Sequence, residues 1–165
     1  MKRIDFPVKE PIELKVNDEI EIHGKIFCGR DAVLPKVAQI YREGQLDKLG
    51  IDLSGSVLFH TAVSPAGIGP TSSNKFDIES TMPILSQAGA KLHLGKGALS
   101  KETIAALNKY KSYFAITPPV SALFASKVIN QRIVAFTEEG MEALYELEVA
   151  GLPAIIAIAN GESIY

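Results

Sequence analysis

The sequence predicts an α/β domain whose mixed β-sheets are flanked by helices. Three observations carry this expectation. Short apolar runs of strand length recur along the chain, among them residues 57–59 and 152–159. Between them lie segments with helical apolar spacing and helix-type start and stop residues. The two kinds mix without strict strand–helix–strand alternation. There is no internal repeat, low-complexity tract or linker, so the 165 residues read as one domain, 1–165.

Residues 12–16 and 19–28 alternate apolar and polar side chains around Asn17-Asp18, the pattern of a β-hairpin. A helix follows over about 31–43. Pro35 falls in its first turns, Val33, Val37, Ile40 and Tyr41 make its stripe, and Gly44 stops it. Leu53-Ser54-Gly55 turns into a strand ending at Phe59 or His60. Thr71-Ser72-Ser73 can cap a short helical turn, and Pro83 opens a second short helix stopped at Gly89. Residues 91–94 form a brief strand closed by Gly95-Lys96-Gly97, and Ser100 caps a helix to about Tyr110. Residues 113–117 are strand-like, and Pro118-Pro119 starts a helix over 120–126. Residues 128–129 and 132–136 read as strands, with a helix start at Thr137-Glu138-Glu139. The run 152–159 suits a fully buried strand, which Asn160-Gly161 turns into a hairpin with 162–165.

Composition excludes several functions. Seventeen Lys and Arg against nineteen Asp and Glu leave a net charge of −2, without the basic excess that a nucleic acid or membrane surface demands. No apolar run reaches membrane-span length, and Met1 to Pro7 contain no signal-peptide core, so a cytoplasmic address is expected. Cys28 is the only cysteine, which excludes an internal disulfide and any cluster or zinc site built from several cysteines of one copy. With His23, His60 and His93 scattered, no metal site within one copy is expected.

The stretch from His60 to Asp77 carries two glycines, two prolines, a run of hydroxyl residues and Lys75. Within Gly69-Pro70-Thr71-Ser72-Ser73-Asn74-Lys75, freed backbone N–H groups and the Thr71 and Ser72 hydroxyls suit a carboxylate or phosphate. A capped loop-to-helix transition explains the same residues equally well. The P-loop pattern is absent. Arg30 follows a strand at a helix start. Capping explains its neighbour Asp31, whereas Arg30 is either a surface arginine or a fork for a carboxylate. Lys96, between two glycines, sits on an exposed turn that can approach a ligand closely, although most such lysines are merely solvated. His60 reads as a base or, better, as a strand-end residue with a satisfied ring. Cys28 reads as a small apolar residue with no nucleophile signature.

Taken in order, Gly29-Arg30-Asp31-Ala32, Gly69-Pro70-Thr71-Ser72, Gly95-Lys96-Gly97, and Glu139-Gly140-Met141-Glu142-Ala143-Leu144-Tyr145 running into Glu148-Val149 and Leu152-Pro153-Ala154 form one set. This set resembles the β subunit, or C-terminal domain, of the iron–sulfur class I fumarases and L-tartrate dehydratases, over nearly the whole chain. The resemblance implies a swivelling β/β/α domain. It implies a hydro-lyase, active only with an α subunit, that hydrates fumarate to L-malate or dehydrates a related hydroxy-dicarboxylate such as L-tartrate. It further implies a [4Fe-4S] cluster acting as Lewis acid, held by three cysteines of that α subunit and not by this chain, in a hetero-oligomer.

Carried over position by position, the resemblance assigns Arg30 to a substrate carboxylate and Lys96 to the dicarboxylate. Thr71 becomes a substrate contact and the proposed catalytic base, flanked by Gly69 and Ser72 as further substrate-binding positions. Lys75 stands where the family usually has arginine. A dicarboxylate requires cations at each end, and Arg30, Lys75 and Lys96 supply three. A threonine hydroxyl is a poor base alone and needs an activating partner from the other subunit or the cluster. Lys75 keeps the charge of the usual arginine and loses its fork. Ser72 replaces a second threonine, Asn74 a common glycine, and Leu34 stands where many relatives have histidine. These departures bear on the substrate more than on the reaction class. The alternative is a stand-alone anion-binding or interaction domain.

Overall fold

The computed structural model describes residues 1–64, 67–71, 75–117 and 126–165, with side chains described outside 62–78. Within them run β1 (Lys2–Phe6), β2 (Glu19–Gly29), α1 (Leu34–Arg42), β3 (Val57–Ser64), β4 (Gly67–Thr71), α2 (Lys75–Gln87) and β5 (Leu92–Gly95). There follow α3 (Lys101–Lys109), β6 (Tyr113–Ile116), β7 (Val128–Ala135), β8 (Leu144–Ala159) and β9 (Glu162–Ser163), with 3₁₀ turns at Leu46–Leu49 and Thr137–Glu142. The architecture is mixed α/β, as the sequence predicts.

Four parallel pairings, β1 with β2, β2 with β3, β3 with β5 and β5 with β6, make up half of the sheet. Strand β8 runs antiparallel to each of its partners, β2, β6, β7 and β9, and closes the sheet. One edge of β8 pairs with β2 from Tyr145 to Ile155. The other edge pairs with β7 over its first half and with β6 over its second. The pairings β2–β3–β5–β6–β8–β2 therefore form a closed ring, with β1, β4, β7 and β9 attached outside it.

Alternation of side chains places Val57 and Phe59, Leu92 and Leu94, Tyr113 and Ala115, and Ile20, Ile22 and Ile26 in one core cluster. The intervening Leu58 and Phe114 face outward. Leu58 packs in a second cluster with Val37 of α1 and Leu85 of α2, and Phe114 packs with Met82 and Leu107. Burial on both faces is why these strands read as continuous apolar runs in the sequence.

Several expectations are corrected. Residues 12–16 form no strand. One edge of β2 is occupied by β1 and β3 and the other by β8, so no edge is left for a hairpin partner. Side chains tie the segment down instead. The Leu14 N–H donates to the Tyr113 hydroxyl (3.3 Å), which donates to the Ile12 carbonyl (2.9 Å), and Asn160 Nδ2 donates to the Leu14 carbonyl (2.9 Å). The first helix proper begins at Leu34, and its N-cap is Val33 with no side-chain cap, so Asp31 does not cap it. The strand expected to end at Phe59 or His60 runs on to Ser64 and returns as β4, with Thr61 opposite Thr71. Helix α2 passes through Pro83 without a break, with Met82 and Leu85 fully buried beside it: packing outweighs the proline's missing N–H. Residues 128–135 make one strand, and the strand expected from Leu152 starts at Leu144. Ser100 caps α3 as expected, its hydroxyl accepting from the Thr103 N–H. The helix expected over 120–126 falls, except for its last residue, outside the described residues.

Candidate functional site

In a parallel sheet the carboxyl ends of neighbouring strands open on the same side, where loops collect and ligands bind. Gly29 of β2 lies opposite His60 of β3, and Phe59 lies opposite Leu94 of β5. Arg30, directly after β2, and Lys96, directly after β5, therefore leave the sheet at the same end and almost the same height. At that height β3 continues as Thr61, which pairs with Thr71 of β4. Lys75 opens α2 four residues later. The fold thus brings the backbone positions of Arg30, Thr71, Lys75 and Lys96 to one end of the ring, with Gly69 on the same β4 strand. Ser72 lies outside the described residues, as do the side chains of Thr71 and Lys75.

Arg30 is held but not saturated. Its Nη2 lies 3.3 Å from Glu142 Oε1, and about a quarter of its side chain (28 %) is exposed. Its Nε is buried with no hydrogen-bond partner among the described residues. An unpaired buried donor costs about 1–3 kcal/mol, so an oxygen acceptor brought to this guanidinium gains more than one brought to a solvated arginine. Glu142 ends the 3₁₀ turn Thr137–Glu142, and the same turn is anchored to α1 by Lys36 Nζ and Glu139 Oε1 at 2.7 Å. Lys96 is exposed beside Gly97, whose φ of +85° suits glycine, and makes no ion pair among the described residues.

Behind this end lies a buried polar chain. His60 Nε2 is 3.2 Å from His93 Nδ1, and His93 Nε2 is 2.8 Å from Ser86 Oγ. Burial pulls the His60 pKa down to about 4, against the partly opposing charge of Asp31. Burial, and then proximity to His60, pull His93 well below the ordinary histidine value. Both rings are neutral at pH 7, so His60 is a hydrogen-bonded interior residue. Cys28 is fully buried in β2, and burial alone pushes its thiol far up. It offers no thiolate to a metal or an electrophile.

Sequence reasoning missed Glu142, Ser86 and the partnership of His60 with His93. Glu142 lies inside the 139–145 segment already singled out, but no spacing announces its pairing with Arg30. Among the described residues no three His, Cys, Asp or Glu side chains gather as metal ligands, and no helix is long and apolar enough to cross a membrane. A separate cavity of about 380 Å³, lined by Lys15, Lys91, Asn108, Lys111, Tyr113 and Asn160, sits where β5 and β6 begin, away from these groups.

Known proteins are similar to this chain over most of its length. The "Putative L(+)-tartrate dehydratase subunit beta" of Methanocaldococcus jannaschii is 33 % identical over 95 % of this chain and 86 % of its own length. The L(+)-tartrate dehydratase subunit beta of Escherichia coli is 26 % identical over 88 % of this chain and 76 % of its own. The anaerobic class I fumarate hydratase of the same organism is 27 % identical over 94 % of this chain. The chain spans only 30 % of that enzyme's length. The family model described as "Fumarase C-terminus" matches residues 5–165, and the chain belongs to that family.

Proposed function

We propose that this chain is the β component of a two-chain hydro-lyase that reversibly hydrates fumarate to L-malate or dehydrates a related hydroxy-dicarboxylate, L-tartrate among them. The observation that carries the reading is the arrival of Arg30, Lys96 and the Thr71-bearing strand at one end of the ring. Family membership supports the reaction class, and relatives named as β subunits support an α-subunit partner in a hetero-oligomer.

In this reading Arg30 and Lys96 take the two carboxylates of the substrate, Lys75 adds a third cation, and Gly69, Thr71 and Ser72 are further substrate-binding positions. Fixing a dianion at both ends removes most of its orientational freedom before reaction. Thr71 is the candidate catalytic base. A [4Fe-4S] cluster held by the α subunit would supply Lewis-acid activation of a substrate oxygen. The buried, protonated Cys28 fits a division in which this chain contributes no cluster ligand. The arrangement belongs in the cytoplasm.

Co-expression with a partner chain bearing three cluster cysteines, followed by anaerobic cluster reconstitution and assays on fumarate, malate and tartrate, tests the reading. Turnover of one of these substrates, abolished by Arg30→Ala and by Thr71→Ala in a folded complex, is expected. An assembled, reconstituted complex inert on all three overturns it.

A further inference from the structure

The polar chain Ser86–His93–His60 stands out from its surroundings. The three residues are 4 %, 0 % and 1 % exposed, in the layer between the sheet and α2 that is otherwise filled by residues such as Leu58, Leu85 and Ala90. Three desolvated polar groups cost free energy there unless each is paired, and an apolar filling would avoid the cost. What a hydrogen-bonded chain provides that apolar packing does not is a fixed distance and direction.

The direction is constrained as well. With both imidazoles neutral, each ring has one donor and one acceptor nitrogen. Either Ser86 donates to His93 and His93 to His60, or the order reverses throughout, so the three groups are locked as a unit.

The elements they join are those that carry the candidate site. Ser86 is on α2, whose first residue is Lys75. His93 is on β5, and Lys96 follows that strand directly. His60 is on β3, opposite Gly29 and one residue before Thr61, the partner of Thr71. The charge of Asp31, next to Arg30, also acts on His60.

We propose that Ser86, His93 and His60 are positioning residues. Their buried hydrogen-bonded chain sets the spacing among the strand ends that carry Arg30, Thr71 and Lys96 and the helix start that carries Lys75. The proposal deepens the functional reading above and rests on it for the identity of the gripped ligand.

The test uses the complex assembled with its partner chain. Ser86→Ala breaks the chain at its end with the smallest change of volume, and Ser86→Thr restores the hydroxyl. Ser86→Ala is expected to raise KM for the dicarboxylate about tenfold with a smaller change in kcat, because misplaced cations bind a dianion less well. Ser86→Thr is expected to recover most of that loss. Hydrogen–deuterium exchange, read by mass spectrometry, is expected to quicken in Ser86→Ala at peptides spanning residues 30–33 and 95–98, and to return towards wild type in Ser86→Thr. A Ser86→Ala complex with unchanged KM and kcat, and with faster exchange confined to α2, overturns the proposal. If the wild-type complex turns over no dicarboxylate, the functional reading falls. The exchange pattern at 30–33 and 95–98 then decides the positioning role by itself.

Discussion

Arg30 and Glu142 meet at 3.3 Å, and this pair ties the end of β2 to the 3₁₀ turn that leads into β8. Both side chains are partly exposed, so the pair adds little to stability. Its effect is to orient a guanidinium whose buried Nε has no partner among the described residues. Glu142→Gln is expected to lower the unfolding free energy by less than about 1 kcal/mol while lowering kcat/KM of the assembled enzyme about tenfold. Arg30→Lys, which loses the fork, is expected to cost about a hundredfold. Steady-state kinetics beside denaturation curves separate the two effects. An Arg30→Lys enzyme with wild-type kcat/KM is incompatible with the assignment.

The Tyr113 hydroxyl pins residues 12–14 to the sheet in place of a strand pairing. Tyr113→Phe leaves the buried Leu14 N–H and the Ile12 carbonyl without that partner and is expected to destabilise the chain by about 1–3 kcal/mol. The readout is a lowered urea midpoint at unchanged m-value. An unchanged midpoint means that water replaces the hydroxyl at no cost.

Acid stability follows from the two buried rings. In the fold His60 titrates at about 4 and His93 well below its ordinary value, whereas both return to about 6.5 on unfolding. The unfolded chain then binds more protons, so the stabilisation is complete above about pH 6.5 and declines as pH falls towards the folded values. For His60 the full loss is of order 3 kcal/mol. Asp18, Glu21 and Asp52, whose carboxyls are held below their usual range by hydrogen bonds, lose their contributions only in more acid solution. Urea midpoints measured from about pH 7 to about pH 4.5 are expected to fall, and to fall less steeply in His93→Gln. A flat wild-type profile contradicts neutral buried rings.

Cys28 is expected to resist alkylation in the folded chain at pH 8 and to react fully once denatured, because burial removes both access and thiolate. Labelling at native-state rates comparable to a free thiol would contradict its place inside the ring.

What the sequence made legible follows the physics of burial. Strands covered on both faces, such as β3, β5, β6 and the second half of β8, announce themselves as apolar runs. β1 does not, because only Phe6 of its five residues is buried. Pro83 misleads because local propensity opposes the packing of Met82 and Leu85 and loses. At the candidate site, Arg30 and Lys96 are legible because each stands beside a glycine at a strand end. Glu142, His93 and Ser86 take their meaning from partners distant in sequence, and only the closed sheet reveals them.

That closure also has a cost in time. The ring is sealed by β8 against β2, joining residues 19–28 to residues 145–155, the first long strand to the last. Contacts between such distant parts of a chain form slowly, since the intervening loop must lose its freedom before any pairing rewards it. A nascent chain leaving the ribosome therefore carries β2, β3, β5 and β6 with an open edge on each side until β8 has emerged. Truncations that remove β8 should leave a sheet with two sticky borders, and aggregation rather than partial activity is the expected fate of such fragments.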